Sequence, residues 1–251
     1  MPVVSRSRHV LVTRPAGVGR DLARKLKRRG YAALLLPGSS LHAWPDPNAA
    51  RSALDVALAG DVVVFTSPAA VRFAARLVPL RAVDQLCWVA IGAGTARALH
   101  RRGVNEVVFP MRPDSEGALA LDALHGVQGR RVALIGAPGG RGLLAETLRK
   151  RGAQLVLAHV YVRTAPRWDA RHLAPLRAVR GPLATLLTST ETLERLRTVL
   201  PVPLWRRLCG GTAVCASARL EDAAKDAGFQ RCVRAASALD QDLIAALQQA
   251  F

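Results

Sequence analysis

The sequence predicts an α/β protein made of two similar doubly wound domains, each built on a parallel sheet. Three observations carry this: an internal repeat, an alternation of short apolar runs with helical periodicity, and a glycine after each of four helical segments. The repeat lays residues 10–30 over 132–152 at a constant offset of 122, pairing Val10/Val132, Gly17/Gly139, Leu22/Leu144, Ala23/Ala145, Leu26/Leu148, Arg29/Arg151 and Gly30/Gly152. The same offset aligns Thr66-Ser67 with Thr188-Ser189, each at the end of an apolar run, and Gly103 pairs with Gly228 at 125 after a small insertion. An offset near half of 251 residues means two related halves.

Taken in order, the β-rich runs fall at 10–13, 62–65, 88–91, 106–109, 132–135, 155–161, 185–187, 212–215 and 231–233. Between them lie segments of helical period, as at 20–29, where Leu22, Ala23 and Leu26 form the apolar stripe and Arg and Lys fill the other face. Continuous apolar strands with helical crossovers point to parallel sheets covered on both faces. Gly30, Gly103, Gly152 and Gly228 each follow a helical segment, where the chain turns through positive φ.

Lys+Arg number 36 against Asp+Glu 18, giving a net charge of +18. Half of the residues are hydrophobic, which excludes a disordered basic arm. The longest stretch free of charged residues, 30–45, is interrupted by Pro37 and Gly38-Ser39-Ser40 and falls short of the roughly 20 apolar residues of a membrane span. The N-terminus carries no apolar core and cleavage site of a secretory signal, so a cytoplasmic location is expected. Cys87, Cys209, Cys215 and Cys232 lack C-x-x-C spacing and read as buried reduced thiols. The six histidines form no ligand pair, so no metal is expected. The charge itself fits nucleic acid, an anionic membrane surface, a polyanionic small molecule or simply a solvated arginine-rich surface. Aromatic residues make up only 4%, which leaves few platforms for stacked bases.

In doubly wound sheets, ligands sit beyond the carboxyl ends of the strands. There the sequence places Thr13-Arg14-Pro15, Thr66-Ser67-Pro68, Gly92-Ala93-Gly94-Thr95, Gly136 to Gly139-Gly140-Arg141, Thr188-Ser189-Thr190, and Ser217 with Arg219. Each Ser or Thr is an ordinary helix cap when taken singly. Together they are hydroxyl, backbone N–H and guanidinium donors with no carboxylate or imidazole among them, a poor hydrolase and a good polyanion cradle. The match of residues 140–145 to G-x-G-x-x-A begins several residues past the strand and lacks the acidic partner of a dinucleotide site. Neither a P-loop nor a G-x-S-x-G elbow occurs.

An ordered set of motifs spanning about residues 10–240 resembles the uroporphyrinogen-III synthase family: Val10-Leu-Val-Thr-Arg-Pro15, Val63-Val-Phe-Thr-Ser-Pro-Ala-Ala-Val71, Ala90-Ile-Gly-Ala-Gly-Thr-Ala-Arg-Ala-Leu99, Pro138-Gly-Gly-Arg141, Val160-Tyr-Val-Arg163 and Thr188-Ser189. The segment Val214-Cys-Ala-Ser-Ala-Arg-Leu220 departs from the common Gly-x-x-Thr-Ala form of that family. The resemblance implies a fold of two α/β domains joined by a two-stranded antiparallel linker, with 1–33 and 167–251 in one domain, 44–154 in the other, and linker strands at 34–43 and 155–166. Each half would then donate its first βα unit to the domain of the other half.

The resemblance also implies the reaction. Linear hydroxymethylbilane loses water through an azafulvene, inverts ring D through a spiro intermediate and closes to uroporphyrinogen III, as part of haem biosynthesis, with no cofactor. The substrate carries eight carboxylates, and holding its ends together would supply much of the catalysis. Tyr161 matches the family tyrosine proposed to hydrogen-bond the leaving hydroxyl; a linker tyrosine packed for stability is the plain alternative. Arg14, Thr66, Ser67, Gly92, Thr95, Gly139, Gly140, Arg141, Ser189, Thr190 and Ser217 would bind substrate, with Arg163 a further source of charge. A monomer is expected, with transient contact to the enzyme that makes the substrate and without nucleic acid or membrane partners. The rival readings are a two-lobed basic nucleotide- or nucleic-acid-binding module and a periplasmic-type binding protein; the missing signal and short lobes oppose the latter.

Overall fold

A computed structural model describes residues 7–83, 85–139 and 142–251. It divides into two compact units, one formed by the chain up to Leu41 with Thr164–Phe251, the other by His42–Arg163.

The chain begins with β1 (His9–Val12) and α1 (Arg20–Arg28), whose buried residues are the stripe Leu22, Ala23 and Leu26. Gly30 ends this helix at φ 82. β2 (Ala32–Leu35) follows, and Pro37, which has no N–H to give a ladder, separates it from β3 (Ser40–Ala43). Asp46 accepts from the Asn48 and Ala49 N–H groups to start α2 (Pro47–Leu58), with proline at its first position. β4 (Val62–Phe65) is buried throughout and feeds α3 (Pro68–Ala74); β5 (Cys87–Ala90) feeds α4 (Ala93–His100). Asp114 caps the short α5 (Ser115–Leu119).

The second half repeats the order. β6 (Arg131–Gly136), α6 (Gly142–Lys150) and β7 (Gln154–His159) lead to β8 (Tyr161–Thr164). Asp169 and His172 form a reciprocal capping box at the start of α7 (Ala170–Arg177). Then come β9 (Leu183–Leu187), α8 (Thr190–Val199), α9 (Val202–Cys209), β10 (Thr212–Cys215), α10 (Ala218–Asp226), β11 (Arg231–Arg234) and α11 (Asp240–Ala250).

One unit holds a parallel sheet in the order β11-β10-β9-β1-β2, the other a parallel sheet in the order β5-β4-β6-β7. The repeat makes β1, β2, β9 and β10 the counterparts of β6, β7, β4 and β5, so the two sheets have one order. In each sheet a βαβ segment from one half pairs with strands of the other: Val10 lies against Ala184, and Val132 against Val62. The chain passes between the units twice, and at these crossings β3 and β8 form a two-stranded antiparallel sheet.

Three segments differ from their sequence reading. The run 106–109 is no strand, only an isolated parallel bridge between Val89 and Val108. Val108 alone bonds β5, and both Val108 and Phe109 stay substantially exposed at this edge. The run 155–161 divides into β7 and β8. Linker strands were expected over 34–43 and 155–166, but the first part of each belongs to a main sheet, because β2 pairs along all of β1 and β7 along all of β6.

Alternation along the strands builds the cores. Val10, Val12, Ala184, Leu186 and Val214 face α1 and α11, whereas Leu11, Leu183, Leu187, Ala213 and Cys215 face α7 to α10. In the other unit Val62, Val64, Val89, Val132 and Leu134 pack with Leu144 and Leu148 of α6. Each fully buried aliphatic side chain of this kind contributes about 1.5–3 kcal/mol. No helix among the described residues is long and apolar enough to cross a membrane.

Candidate active site

Parallel strands of one sheet end at the same edge, so each unit gathers its strand-end loops, with helix N-termini following them. In the unit formed by His42–Arg163, β4 runs into Thr66 and Ser67. Thr66 Oγ1 donates to the Ile135 carbonyl at 2.9 Å, which fixes its hydroxyl across to β6. Ser67 is the N-cap of α3, its Oγ accepting from Ala70 N–H at 3.0 Å. β5 runs into Gly92, the N-cap of α4, where no side chain caps the helix. A Cβ on Gly92 would lie 2.6 Å from Pro113 Cβ, so glycine is required there by packing. Gly139 turns the chain after β6 at φ 71. Gly140 and Arg141 lie outside the described residues.

Tyr161 opens β8 directly beside this edge. Its ring stacks on Phe73 of α3 with centroids 5.3 Å apart, and its hydroxyl lies 3.2 Å from Ser67 Oγ. Arg163 Nη2 donates to the same hydroxyl at 3.4 Å, and its guanidinium lies 5.9 Å from the tyrosine ring centre. Two more arginines flank Phe73, with Arg72 Cζ at 5.0 Å and Arg76 Cζ at 5.3 Å from the ring centre. Arg72 Nε is buried without a hydrogen-bond partner, and among the described residues none of these three arginines is in an ion pair. Three guanidinium groups therefore surround one aromatic stack with no carboxylate to balance them.

In the other unit, Thr13 Oγ1 donates to the Leu186 carbonyl at 2.6 Å, tying β1 to β9. Ser189 caps α8, accepting from Thr192 N–H at 3.2 Å and donating to Thr192 Oγ1 at 2.9 Å. Thr190 is the first residue of that helix, and Ser217 caps α10 by accepting from Leu220 N–H at 3.3 Å. Arg195 donates to the Gly38 carbonyl, and a Cβ on Gly38 would collide with Thr192.

Two residues expected to bind substrate, Arg14 and Thr95, have their surroundings within their own units. Arg14 is paired with Asp240 at 2.7 Å and bonded to the Ala238 carbonyl, with its side chain 19% exposed; Asp240 also takes Lys25 at 2.6 Å. Its charge is spent inside its own unit. Thr95 is 2% exposed in α4, so its hydroxyl faces the interior, and its backbone N–H returns to Gly92 O at 2.9 Å. Tyr161 is itself only 1% exposed.

Sequence reasoning missed three kinds of residue. Phe73 and Arg72 sit on α3 one turn and more beyond Ser67, with Arg76 in the turn just past its end, and the available signal was an aromatic residue between arginines following a strand-end Ser-Pro. His159 was missed because the run 155–161 read as one strand. It ends β7 opposite Gly136, so a strand end does carry an imidazole. Its ring lies 5.4 Å from Trp44, and partial burial lowers its pKa below the usual imidazole value. An open groove of about 460 Å³ between α1 and α11, lined by Lys25, Arg28, Arg29, Gln241 and Ile244, contains none of the strand-end residues. Among the described residues no group of three or more His, Cys, Asp or Glu is placed to hold a metal ion.

Comparison with known proteins bears on the family and the fold. The family model described as Uroporphyrinogen-III synthase HemD matches residues 20–245. Uroporphyrinogen-III synthase of Salmonella typhimurium is 31% identical over 249 residues, covering 95% of this chain and 99% of that protein. The Escherichia coli K12 protein of the same name is also 31% identical, over 251 residues, with the same coverage. Two solved structures share the fold. A mutant uroporphyrinogen III synthase from the extreme thermophile Thermus thermophilus matches with TM-score 0.54 at 22% identity, covering 97% of this chain and 100% of that one. Uroporphyrinogen-III synthetase from Helicobacter pylori matches with TM-score 0.58 at 14% identity, covering 96% and 99%. A family match over most of the chain, relatives aligned along 95% of its length and the same fold together place this chain in the uroporphyrinogen-III synthase family of lyases.

Proposed function

We infer that the protein closes linear hydroxymethylbilane to uroporphyrinogen III, with inversion of ring D and loss of water. The observation that carries this reading is the Ser67–Tyr161 pair at a strand-end edge, with Arg72, Arg76 and Arg163 around it and no opposing carboxylate. A hydroxyl pair can protonate a leaving hydroxyl, and unbalanced guanidinium groups suit a substrate with eight carboxylates. On this reading the substrate carboxylates take the backbone at Gly92 and Gly139, and Ser189, Thr190 and Ser217, with Ser67 kept for the leaving hydroxyl and Thr66 holding the loop rather than the ligand. Arg14 and Thr95 serve the fold. The protein works without nucleic acid or membrane, as a monomer in the cytoplasm, where its four thiols stay reduced.

The test is direct. Purified protein is incubated with hydroxymethylbilane, and the products are oxidised and separated as porphyrin isomers. Enzyme-dependent formation of the type III isomer is expected; the type I isomer alone, as in the unassisted closure, would remove the reading.

A further inference from the structure

The buried position of Tyr161 raises a question about how its proton reaches a substrate, and the hydrogen bonds answer it. At 1% exposure the phenol lies behind the surface, while Ser67 is partly exposed. The direction of the Ser67–Tyr161 bond follows from donor bookkeeping. An arginine N–H can only donate, so the Tyr161 oxygen accepts from Arg163 Nη2, and the buried phenol proton is assigned to Ser67 Oγ, the acceptor that lies beside it among the described residues. Ser67 Oγ also accepts the α3 N-cap bond from Ala70, which fills its second lone pair. The Ser67 hydroxyl proton is then the one proton of the chain without a protein acceptor among the described residues. The order runs Arg163 to Tyr161 to Ser67.

We propose that Ser67 is the catalytic residue that protonates the leaving hydroxyl, and that Tyr161 is a positioning residue that reloads it. This rests on the synthase reading above. As the hydroxymethyl C–O bond breaks with its electron pair on oxygen, that oxygen takes the Ser67 proton and departs as water. Ser67 takes the Tyr161 proton in the same motion, and the resulting phenolate lies beside the Arg163 guanidinium. The macrocycle loses one proton on closure, and its return through Ser67 restores the phenol, so no external acid or base is consumed. Phe73 holds the tyrosine ring in plane for this transfer.

The experiment is a double-mutant cycle with Ser67→Ala and Tyr161→Phe, read as kcat for type III isomer formation and as a proton inventory in H2O/D2O mixtures. Ser67→Ala is expected to lower kcat by about 10²–10³-fold, the scale of a positioned proton donor, and Tyr161→Phe by a smaller factor. On the Ser67→Ala background, Tyr161→Phe should change kcat less than about two-fold, because residues acting in series are not additive. The wild-type inventory should be curved, as for two moving protons, and that of Tyr161→Phe linear, which a merely structural tyrosine would not produce. Ser67→Thr keeps both cap and hydroxyl and should retain most activity, separating chemistry from folding. Multiplicative losses, a linear wild-type inventory, or an inactive Ser67→Thr that folds normally would overturn the relay while leaving the synthase reading intact. A wild-type protein that yields only the type I isomer would bring down both.

Discussion

Ser67 and Ser189 stand at equivalent places in the two halves, each capping the helix that follows a central strand, yet only Ser67 meets a tyrosine. Ser67 Oγ lies 3.2 Å from Tyr161, whereas Ser189 Oγ lies 2.9 Å from Thr192 of its own helix. The 122-residue offset puts Ser39 where Tyr161 would be and Arg195 where Phe73 would be. The matched caps therefore hold different chemistry, with the aromatic and acidic proton confined to one unit.

Replacing each serine by alanine is thus a controlled pair. Both changes should cost about 1 kcal/mol of stability through the lost cap, measured by urea unfolding. Ser189→Ala should raise KM and keep kcat within about three-fold, the signature of an interaction shared by ground and transition states. Ser67→Ala should lose kcat. Equal kcat losses at both positions would count against confining the proton chemistry to one unit.

Arg72 and Arg76 were not legible as site residues in the sequence, and their role is testable by charge. Arg72→Met and Arg76→Met should each raise KM for hydroxymethylbilane by about ten-fold with little change in kcat, as expected for charge-assisted bonds to carboxylate. Raising the salt concentration should raise the wild-type KM and flatten in the double variant. Lysine at either position should restore part of the affinity, since it keeps charge and loses the planar fork.

The fold was legible because its signals are local and repeated. The α1 stripe of Leu22, Ala23 and Leu26 and the positive φ at Gly30, Gly103, Gly152 and Gly228 are each written in a few neighbouring residues. What could not be read depends on partners far along the chain. Nothing near Arg14 in sequence shows its ion pair with Asp240, 226 positions later. The spacing of Thr95 from Gly92 says nothing of which face of α4 turns inward, and the burial of Thr95 could not be read from it. The break between β7 and β8 hid His159, since an unbroken apolar run gives no sign of where one sheet ends and another begins.

Gly136 tests the rigidity of the strand-end edge. A Cβ there would lie 2.2 Å from Thr66 Oγ1, the hydroxyl that donates to Ile135 O. Gly136→Ala must displace Thr66 and break that bond, for an overpacking cost of about 1–3 kcal/mol in urea unfolding. Thr66→Ser in the same protein should relieve little of this, because it keeps the oxygen that is struck. Thr66→Gly should relieve most of it.

His159 links pH to this same edge. Its pKa is lowered by partial burial, so the native state holds the proton less tightly than the unfolded state does. The sign then follows from linkage: stability is full above the unfolded imidazole pKa of about 6.5 and falls as pH drops below it, because protonation favours the unfolded chain. The neutral ring lies against Trp44, and a charged one would draw water to the end of β7 beside Gly136. Melting temperatures of wild type and His159→Phe should differ in their pH dependence between about pH 7 and pH 5, the variant losing less on acidification. In the wild type, the His159 imidazole proton resonance should titrate with a midpoint below about 6.5. A midpoint at or above that value, or identical acid limbs in the two proteins, would show that burial at this strand end places no demand on the ring.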